Sequence, residues 1–339
     1  MKIALDAMGG DFAPDQVVAG GVAAHRELGV EVIFVGQKDK VDKALATAGA
    51  GKWAQIEDAP EVIAMDEHPA NAVRSKKASS IVRGIQMVED GRVNGFVSAG
   101  NSGAVMAAAL FGLHRIAGVE RPAIGAVIPS AAGRCLLIDA GANTDARPEY
   151  LVQFARMGTI YAQGLMDLPN PRVALLSNGE EPGKGNQLVQ ATEPLLRTLA
   201  GINFTGNIEG NDVFKGKADV IVCDGFTGNV LVKTAEGAAE LLFRGIRDSI
   251  KGPIASFGGL LVRPKLQALR KRYDWRELGG WPLLGVNGVA IIAHGRSDAR
   301  AIRSAIKAAR DAVDRQVVSM LTSAFTEAAS ATAKGQPVT

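Results

Sequence analysis

Residues 95–116 read GFVSAGNSGAVMAAALFGLHRI, and three structural signals follow one another in them. Gly95–Ser98 is a short, mostly apolar run of the kind that forms a buried strand. A loop of glycine, asparagine and serine comes next, and the apolar segment Ser102–Ile116 is long enough for a helix. A strand that leads through a loop into a helix is the repeating unit of α/β proteins, so this stretch predicts that class.

The same alternation extends along the rest of the chain. Short apolar runs predict strands at 3–5, 32–35, 95–98, 124–128, 136–138, 173–177, 203–206, 220–223 and 289–293. Longer amphipathic segments predict helices, among them 16–28, 75–89, 102–116, 149–163, 187–199 and 228–250. Runs that are apolar almost throughout are typical of a largely parallel sheet with helices on both faces. The runs at 124–128 and 136–138, separated by the short segment 129–133, instead predict an antiparallel hairpin within that sheet.

Composition excludes several classes of protein. The chain of 339 residues has 38 Lys and Arg against 35 Asp and Glu, and a net charge of +3 is too small for a nucleic-acid-binding protein without a basic cluster. Cys135 and Cys223 are too few for a disulfide framework and lack the spacing of a zinc site. Asp6 interrupts the apolar run at the N-terminus, and no run is long enough to span a bilayer, so we expect a cytoplasmic protein.

Many of the 40 glycines lie in loops at the ends of predicted strands. These loops read DAMGGD at 6–11, SAGNSG at 98–103, DAGAN at 139–143, SNGEEPGKGN at 177–186 and CDGFTGN at 223–229. The carboxyl ends of strands in an open α/β sheet converge on one crevice, so we expect the loops to meet there. Their amides, their asparagines and Lys184 suit a phosphate group and a developing oxyanion, although each loop alone also fits ordinary turn chemistry.

Other catalytic arrangements have less support. The fingerprint GxGxxG does not follow the first strand and the phosphate loop GxxxxGK[ST] does not occur, which disfavours NAD and ATP chemistry. Cys223 has no evident activating base, and Ser98 and Ser102 lack the GxSxG elbow of serine hydrolases. His294, at the end of a predicted strand, fits a base and a structural residue about equally well. Four aspartates could collect a divalent metal at the crevice, although they fit turn and cap roles at least as well: Asp6, Asp11, Asp139 and Asp224.

Two regions break the alternation of strands and helices. Residues 251–282 are rich in helix breakers, cations and apolar residues, and they predict a projecting helical insertion. Residues 330–339 are mostly small and polar and predict a flexible tail. We therefore expect one α/β/α catalytic domain at 1–329 that includes the projecting segment.

A set of motifs that runs in order along nearly the whole chain resembles the bacterial phosphate acyltransferase family, the acyl-ACP:phosphate transacylases of phospholipid synthesis. The motifs are DAMGGD at 6–11, SAGNSGA at 98–104, DAGAN at 139–143, NGEEPGKGN at 178–186, GNIEGND at 206–212, CDGFTGN at 223–229, PLLGVNG at 282–288 and IIAHG at 291–295. The resemblance implies a three-layer α/β/α sandwich related to phosphotransacetylases, a homodimer and no metal or redox cofactor. It also implies that orthophosphate attacks a long-chain acyl-ACP thioester, giving acyl phosphate and holo-ACP. The acyl phosphate then feeds a membrane glycerol-3-phosphate acyltransferase.

The expected site residues fall into two sets. The phosphate-binding set is Gly9, Gly10, Ser98, Gly100, Asn101, Ser102 and Gly103. Lys184 and Asn229 are the expected catalytic residues. Lys184 closes over the phosphate, and Asn229 orients the phosphate or donates to the thioester oxyanion.

The insertion has a possible second role, because apolar residues stand beside clustered cations in it. Such a pattern suits contact with acidic ACP or with a membrane surface. The residues concerned are Leu260, Leu261, Arg263, Lys265, Arg270, Lys271 and Arg272. A dimer contact or an ordinary helical hairpin fits the pattern equally well. The resemblance favours peripheral attachment to the inner face of the cell membrane.

Three rival functions remain open at this point. A phosphotransacetylase acting on short-chain acyl-CoA shares the fold and the chemistry. A nicotinamide-dependent dehydrogenase can use a related α/β scaffold. A protein that binds anions without turnover is the third.

Overall fold

The computed structural model describes residues 1–250, 258, 262–265, 276 and 279–333. Their strands form one eleven-stranded sheet in the order β3-β2-β1-β4-β11-β10-β5-β6-β9-β7-β8. The strands are β1 (Lys2–Asp6), β2 (Glu31–Gly36), β3 (Gln55–Asp58), β4 (Gly95–Ser98), β5 (Ala123–Ser130), β6 (Gly133–Ile138), β7 (Arg172–Ser177), β8 (Asn203–Glu209), β9 (Val220–Val222), β10 (Trp281–Leu284) and β11 (Val289–Ile292).

Helices cover both faces of this sheet. Successive strand residues point to opposite faces, so Ile3 and Leu5 pack into one hydrophobic core and Ala4 into the other. The described helices are α1 (Asp15–Leu28), α2 (Lys38–Thr47), α3 (Pro69–Ser75), α4 (Ser80–Glu89), α5 (Ser102–Phe111), α6 (Pro148–Leu165), α7 (Gln187–Arg197), α8 (Gly225–Ser249), α9 (Ala299–Asp314) and α10 (Val317–Ala333). Residues of α1, α2, α6, α7, α9 and α10 line the first core, and residues of α3, α4, α5 and α8 line the second. The predicted three-layer α/β/α sandwich is confirmed.

The sheet changes direction in its middle. Strands β1, β2, β3, β4 and β11 run parallel to one another, and so do β6, β7, β8 and β9. Between these sets, β10 is antiparallel to β11 and to β5, and β5 is antiparallel to β6. Three reversals in succession leave the two parallel halves pointing in opposite directions. The antiparallel hairpin predicted from 124–128 and 136–138 is confirmed as β5 and β6.

Some elements differ from the sequence-based expectation. The segment predicted as one helix at 75–89 contains the end of α3 and all of α4, because Ser79 caps α4 by accepting a hydrogen bond from the Val82 amide at 3.4 Å. Trp281 and Pro282 pair with β11, so they belong to the sheet and not to the predicted insertion. The edge strand β3 was not predicted, because its sequence QIED has no apolar run.

The predicted insertion lies largely outside the described residues. Arg263 and Lys265 are described, as exposed residues of the helical stretch 262–265. The other residues expected to contact ACP or membrane lie outside the description: Leu260, Leu261, Arg270, Lys271 and Arg272. Helix α10 continues to Ala333, four residues into the segment predicted as a tail, and 334–339 lie outside the description. None of the helices that the structure describes is long and apolar enough to cross a membrane.

Candidate active site

A buried carboxylate organises the loops that follow β1 and β4. Asp6, at the end of β1, is 1% exposed, and Ser98, at the end of β4, is fully buried. The Ser98 hydroxyl donates to Asp6 Oδ2 at 2.7 Å, and the Gly100 amide donates to Ser98 Oγ at 3.0 Å. Burial raises the pKa of Asp6, while hydrogen bonds from Ser80 and Ser98 oppose that rise. Ser98 and the Gly100 amide therefore have protein partners, and they hold the two loops in shape.

Glycine allows these loops to approach each other closely. A Cβ atom on Gly9 would lie only 2.6 Å from the Gly100 amide nitrogen. Gly10 has a φ of +103°, a left-handed conformation that other residues rarely adopt. The following residue, Asp11, donates its amide to the Gly295 carbonyl oxygen at 2.8 Å. The loops after β1, β4 and β11 therefore lie side by side and form a first loop group, at 6–11, 98–103 and 293–295.

The start of α5 completes the first loop group. Asn101 caps this helix, because its Oδ1 accepts from the Ala104 amide at 3.0 Å. Its Nδ2 also donates to the backbone carbonyls of Ala64, Met65 and Glu67 at 3.1–3.2 Å. Ser102 is exposed in the first turn and Gly103 is partly buried. Because the first N–H groups of a helix have no partner within it, Ser102 and Gly103 supply amide donors at this end.

A second buried carboxylate organises the loops after β6 and β9, which form a second loop group at 139–143 and 223–229. Asp139 is fully buried, and burial raises its pKa, while its hydrogen bonds oppose the rise. It accepts from four backbone amides at 2.7–3.1 Å, those of Ile124, Gly141, Ala142 and Asn143. Asp224 caps α8 by accepting from the Thr227 amide at 2.8 Å. Asn229 is exposed nearby, with its Nδ2 at 3.4 Å from the Ala140 carbonyl oxygen.

Lys184 lies in the loop after β7, which is held by its own hydrogen bonds. The Gly185 amide donates to Asn178 Oδ1 at 2.9 Å. The Gln190 side chain donates to the carbonyl oxygens of Gly183 and Gly185. Lys184 itself is exposed, and in the described part of the chain its ammonium has no hydrogen-bond or ion-pair partner. This cation is therefore available to an anionic ligand.

The five strand-end loops lie near one level in the middle of the sheet, as the sequence led us to expect, although they follow strands of opposite direction. The loops with Gly9 and Ser98 follow strands of one parallel half. Those with Asp139, Lys184 and Asn229 follow strands of the other half, which points the opposite way. The register brings the two sets of ends together: Ile138, at the end of β6, pairs with Gly125, and the neighbouring pairs Ile124–Leu283 and Pro282–Ile291 lead to the end of β11. What the sequence did not predict is that β5 and β10 reverse the strand direction between the two halves.

Helix α8 connects the two loop groups. It begins in the second group, and Lys233, one turn after Asn229, reaches the first group with its Nζ at 2.6 Å from His294 Nε2. Glu236 Oε2 lies 3.4 Å from both of those nitrogens. The spacing of Asn229, Lys233 and Glu236 puts them on one face of the helix. Lys233 therefore places a cation beside the end of β11, next to Gly295.

Both ring nitrogens of His294 contact protein groups. Nδ1 accepts from the Arg296 amide at 3.1 Å, and Nε2 faces Lys233. Burial works against ionisation of Glu236, but its hydrogen bond to His294 and the charge of Lys233 outweigh burial and lower its pKa. Of the two sequence interpretations of His294, this geometry favours a structural one. Lys233 and Glu236 were not predicted, and their helical spacing after the 223–229 loop was the only sequence signal.

Other candidate groups are buried or occupied by structural contacts. Cys223 is 3% exposed, and its Sγ donates to the Asp139 carbonyl oxygen at 3.5 Å. Burial raises the pKa of this thiol well above its ordinary value, which makes a thiolate nucleophile unfavourable. Asp6 and Asp224 each accept hydrogen bonds from their own loop or helix start. Within the described ranges, no cluster of three or more His, Cys, Asp or Glu side chains has a geometry that could hold a metal ion.

The fold is similar to that of two solved enzymes. A phosphotransacetylase from Streptococcus pyogenes aligns with a TM-score of 0.62 at 18% identity, covering 93% of this chain and 94% of that one. A branched-chain phosphotransacylase from Enterococcus faecalis aligns with a TM-score of 0.61 at 14% identity, covering 92% and 99%. Identities this low establish the shared architecture and nothing about the substrate.

Similarity in sequence identifies the family. The family model described as fatty acid synthesis protein matches residues 1–320. A phosphate acyltransferase from Pelotomaculum thermopropionicum is 50% identical over 319 residues, which are 94% of this chain and 93% of the relative. A second phosphate acyltransferase, from Heliobacterium modesticaldum, is 50% identical over 324 residues, or 95% and 96% of the two chains. The chain therefore belongs to the fatty acid synthesis protein family and, within it, to the phosphate acyltransferases, and it is an enzyme of the acyltransferase class.

Proposed function

We propose that this enzyme transfers a long-chain fatty acyl group from acyl carrier protein to inorganic phosphate. The observation that carries the proposal is the pair of loop groups rich in amides and asparagines, linked by the Lys233–His294 contact at 2.6 Å. Such donors suit phosphate and a developing oxyanion. The name of the two relatives, phosphate acyltransferase, supports phosphate as the acceptor. No metal or redox cofactor is part of the proposed reaction.

The chemistry needs orientation and charge stabilisation more than it needs a protein nucleophile, because a thioester is already activated. An oxygen of hydrogen phosphate attacks the thioester carbon, and negative charge develops on the carbonyl oxygen. The C–S bond then breaks, the acyl carbon keeps its new bond to the phosphate oxygen, and the proton of hydrogen phosphate passes to the leaving sulfur. The products are acyl phosphate and the free thiol of holo-ACP.

In this proposal phosphate binds at the first loop group. Gly9 and Gly10 allow the backbone to approach it, and the start of α5 adds the amides of Ser102 and Gly103 with the positive end of the helix dipole. Lys233 contributes a cation from α8. The remaining residues of the predicted phosphate-binding set support the shape of these loops through their hydrogen bonds: Ser98, Gly100 and Asn101.

Asn229 and Lys184 act from the second half of the sheet. The Asn229 amide, which has only a long contact to the Ala140 carbonyl oxygen, is suited to orient phosphate or to donate to the thioester oxyanion. Lys184 is exposed and brings a second cation toward the phosphate from the loop after β7. Both residues have few protein contacts to lose when they turn toward a substrate.

The donor and the partners belong to the same proposal. Leu241 and Leu242 on α8 are 72% and 63% exposed, an apolar pair that is suited to a second copy of the chain in a homodimer. The exposed Arg263 and Lys265 suit acidic ACP or anionic lipid. Acyl phosphate would pass to a membrane glycerol-3-phosphate acyltransferase, which makes peripheral attachment to the inner face of the membrane advantageous.

Incubation of the purified chain with palmitoyl-ACP and radiolabelled phosphate tests the proposal. We expect labelled acyl phosphate and free holo-ACP in equal amounts, without added cofactor. Preference for acetyl-CoA together with indifference to ACP would instead identify a short-chain phosphotransacetylase. Quenching of tryptophan fluorescence by a nicotinamide cofactor, with no labelled product from any donor, would favour the dehydrogenase. Phosphate binding without turnover on any donor would leave only an anion-binding protein.

A further inference from the structure

A polar cavity lies beside the start of β5, outside both loop groups. It encloses about 360 Å³, a volume in the range of small-molecule sites. Its lining residues are Leu110, Arg115, Glu120, Arg121, Pro122 and Tyr150. The function proposed above assigns no role to it.

Arginine side chains dominate the charge at this cavity. The guanidinium carbon of Arg121 lies 5.9 Å from the centre of the Tyr150 ring, and that of Arg147 lies 5.7 Å from the same ring. Neither arginine forms an ion pair with a carboxylate among the described residues. Arg115 adds a third guanidinium, which donates to the Glu120 carbonyl oxygen at 2.6 Å. The lining has two guanidinium groups, those of Arg115 and Arg121, against the single carboxylate of Glu120, and Arg147 adds a further cation over the Tyr150 ring, so the cavity keeps a net positive charge.

The Tyr150 ring is a rigid support for these guanidinium groups. Its side chain is 8% exposed and belongs to the first hydrophobic core, so the ring cannot move freely. Guanidinium groups held over an immobile ring lose less freedom when they bind an anion. Their planar N–H groups also match two oxygens of a phosphate at once, a geometry that lysine cannot offer.

The cavity adjoins the second loop group through Pro122. The Pro122 carbonyl oxygen accepts from Asn143 Nδ2 at 2.8 Å, and the Asn143 carbonyl oxygen accepts from the Gly225 amide at 2.7 Å. Asn229 lies four residues further along α8, about 6 Å along the helix axis. A ligand with its charged end at Arg121 can therefore extend its other end toward the loops that carry the proposed chemistry.

We infer that this arginine pocket, formed by Arg115, Arg121, Arg147 and Tyr150, binds the phosphate ester of a 4′-phosphopantetheine arm. The inference rests on the proposed function, in which the acyl group arrives as a thioester. Such an arm carries its phosphate at one end and its sulfur at the other, so the phosphate must be held apart from the reacting carbon. Inorganic phosphate has the opposite requirement, since it must touch that carbon. The arm is common to ACP and to coenzyme A.

A binding comparison without chemistry tests the pocket directly. Titration calorimetry would compare 4′-phosphopantetheine with pantetheine, which lacks the phosphate, on the wild-type chain and on Arg121→Ala and Arg147→Ala. We expect the wild type to bind the phosphorylated compound at least about tenfold more tightly, and each variant to lose most of that preference while keeping its affinity for pantetheine. Arg121→Lys should retain part of it, and Arg92→Ala, an exposed arginine away from the cavity, should retain all of it. Equal affinity of the wild type for both compounds, or an unchanged preference in both alanine variants, overturns the inference.

Steady-state kinetics separate the possible sources of the bound phosphate. In Arg121→Ala we expect the KM for palmitoyl-ACP and for palmitoyl-CoA to rise by about tenfold, with the KM for inorganic phosphate unchanged. A rise in the KM for inorganic phosphate assigns the pocket to the acceptor, and a rise confined to palmitoyl-ACP assigns it to the acidic surface of the carrier. Either result overturns the inference. Failure of the wild type to form acyl phosphate would contradict the proposed function. The calorimetric comparison would still show whether the pocket binds the phosphate ester of 4′-phosphopantetheine.

Discussion

Asp6 and Asp139 hold similar places in the two loop groups. Each ends or follows a strand, is at most 1% exposed, and accepts hydrogen bonds from the loop after it. A buried carboxylate satisfied in this way fixes the conformation of its loop, and its oxygens are not free for a ligand. The side chains that remain available are those with few protein contacts, above all Lys184 and Asn229. Structural and chemical roles are thus carried by different residues.

This division predicts that Lys184→Ala and Asn229→Ala lose activity without losing stability. Removal of one transition-state donor typically costs about 2.7–4 kcal/mol, so each variant should lose roughly 10²–10³-fold in acyl phosphate formation. The midpoint of thermal unfolding should change little, because neither side chain makes a strong contact in the fold. Lys40→Ala, an exposed lysine on α2, is the matched control and should retain full activity. Near-normal turnover by folded Lys184→Ala and Asn229→Ala would show that neither residue takes part in the reaction.

Gly9→Ala should instead damage both stability and activity. The added methyl group would lie 2.6 Å from the Gly100 amide nitrogen, a backbone atom that cannot move without shifting the loop after β4. Overpacking of this kind costs about 1–3 kcal/mol, which urea denaturation can measure. Gly210→Ala is the control, because nothing lies within 4 Å of its added methyl group, and its stability should stay within about 0.5 kcal/mol of wild type. Equal stability of the two variants would show that the loops do not touch as described.

At the scale of elements, α8 is the connection that makes the two loop groups one candidate site. It starts at the Asp224 cap in one half of the sheet and presents Lys233 to His294 in the other. Successive turns of α8 therefore place the Asn229 amide and the Lys233 ammonium beside different loops. The strand register places the ends of β6 and β11 at nearly the same level, so the two groups lie close enough for this helix to join them.

The sequence predicted the local parts of this arrangement and missed the long-range ones. Loops such as 6–11 and 98–103 were predictable because Gly, Asn and Asp favour turn conformations through their own geometry. The reversal of the sheet depends on β10, four residues long, pairing Leu283 with Ile124. The contact of Lys233 with His294 spans 61 residues. No local periodicity encodes such pairings, so strand direction and the role of α8 required the structure.

Lys233→Ala tests whether α8 joins the groups functionally. The variant loses the cation beside the first loop group, so we expect the KM for inorganic phosphate to rise by about tenfold or more while the KM for the acyl donor stays constant. His294→Ala should give a smaller rise of the same kind, because Lys233 then loses the contact that positions it. Lys233→Arg keeps the charge and should recover part of the loss. A change in the acyl-donor KM alone would place Lys233 at the donor and not at phosphate.

At the scale of the whole molecule, each of the two hydrophobic cores spans both halves of the sheet. The first core contains Phe34 of β2 together with Leu175 of β7, and the second contains Ile33 of β2 together with Leu176 of β7. Because both faces are continuous across the reversal at β5 and β10, neither half has a core of its own. We therefore expect the molecule to unfold as one cooperative unit, and the single domain at 1–329 stays a prediction that the unfolding experiment tests.

Probes in the two halves can test that cooperativity. Trp53 stacks on His25 at a ring-centre distance of 3.6 Å in the first half, while Cys135 and Cys223 are at most 3% exposed in the second. Burial raises the pKa of Cys135 to about 12. This thiol is therefore protected from labelling until the fold opens, because it is inaccessible and is not ionised. In a Trp275→Phe, Trp281→Phe variant, the urea midpoint of Trp53 fluorescence should equal the midpoint for thiol labelling by a disulfide reagent at pH 8. Thiol labelling that begins at clearly lower urea than the fluorescence change would mean that the β6–β9–β7–β8 half opens by itself. The reversal at β5 and β10 would then be a boundary between two folding units, and α8 would join two domains.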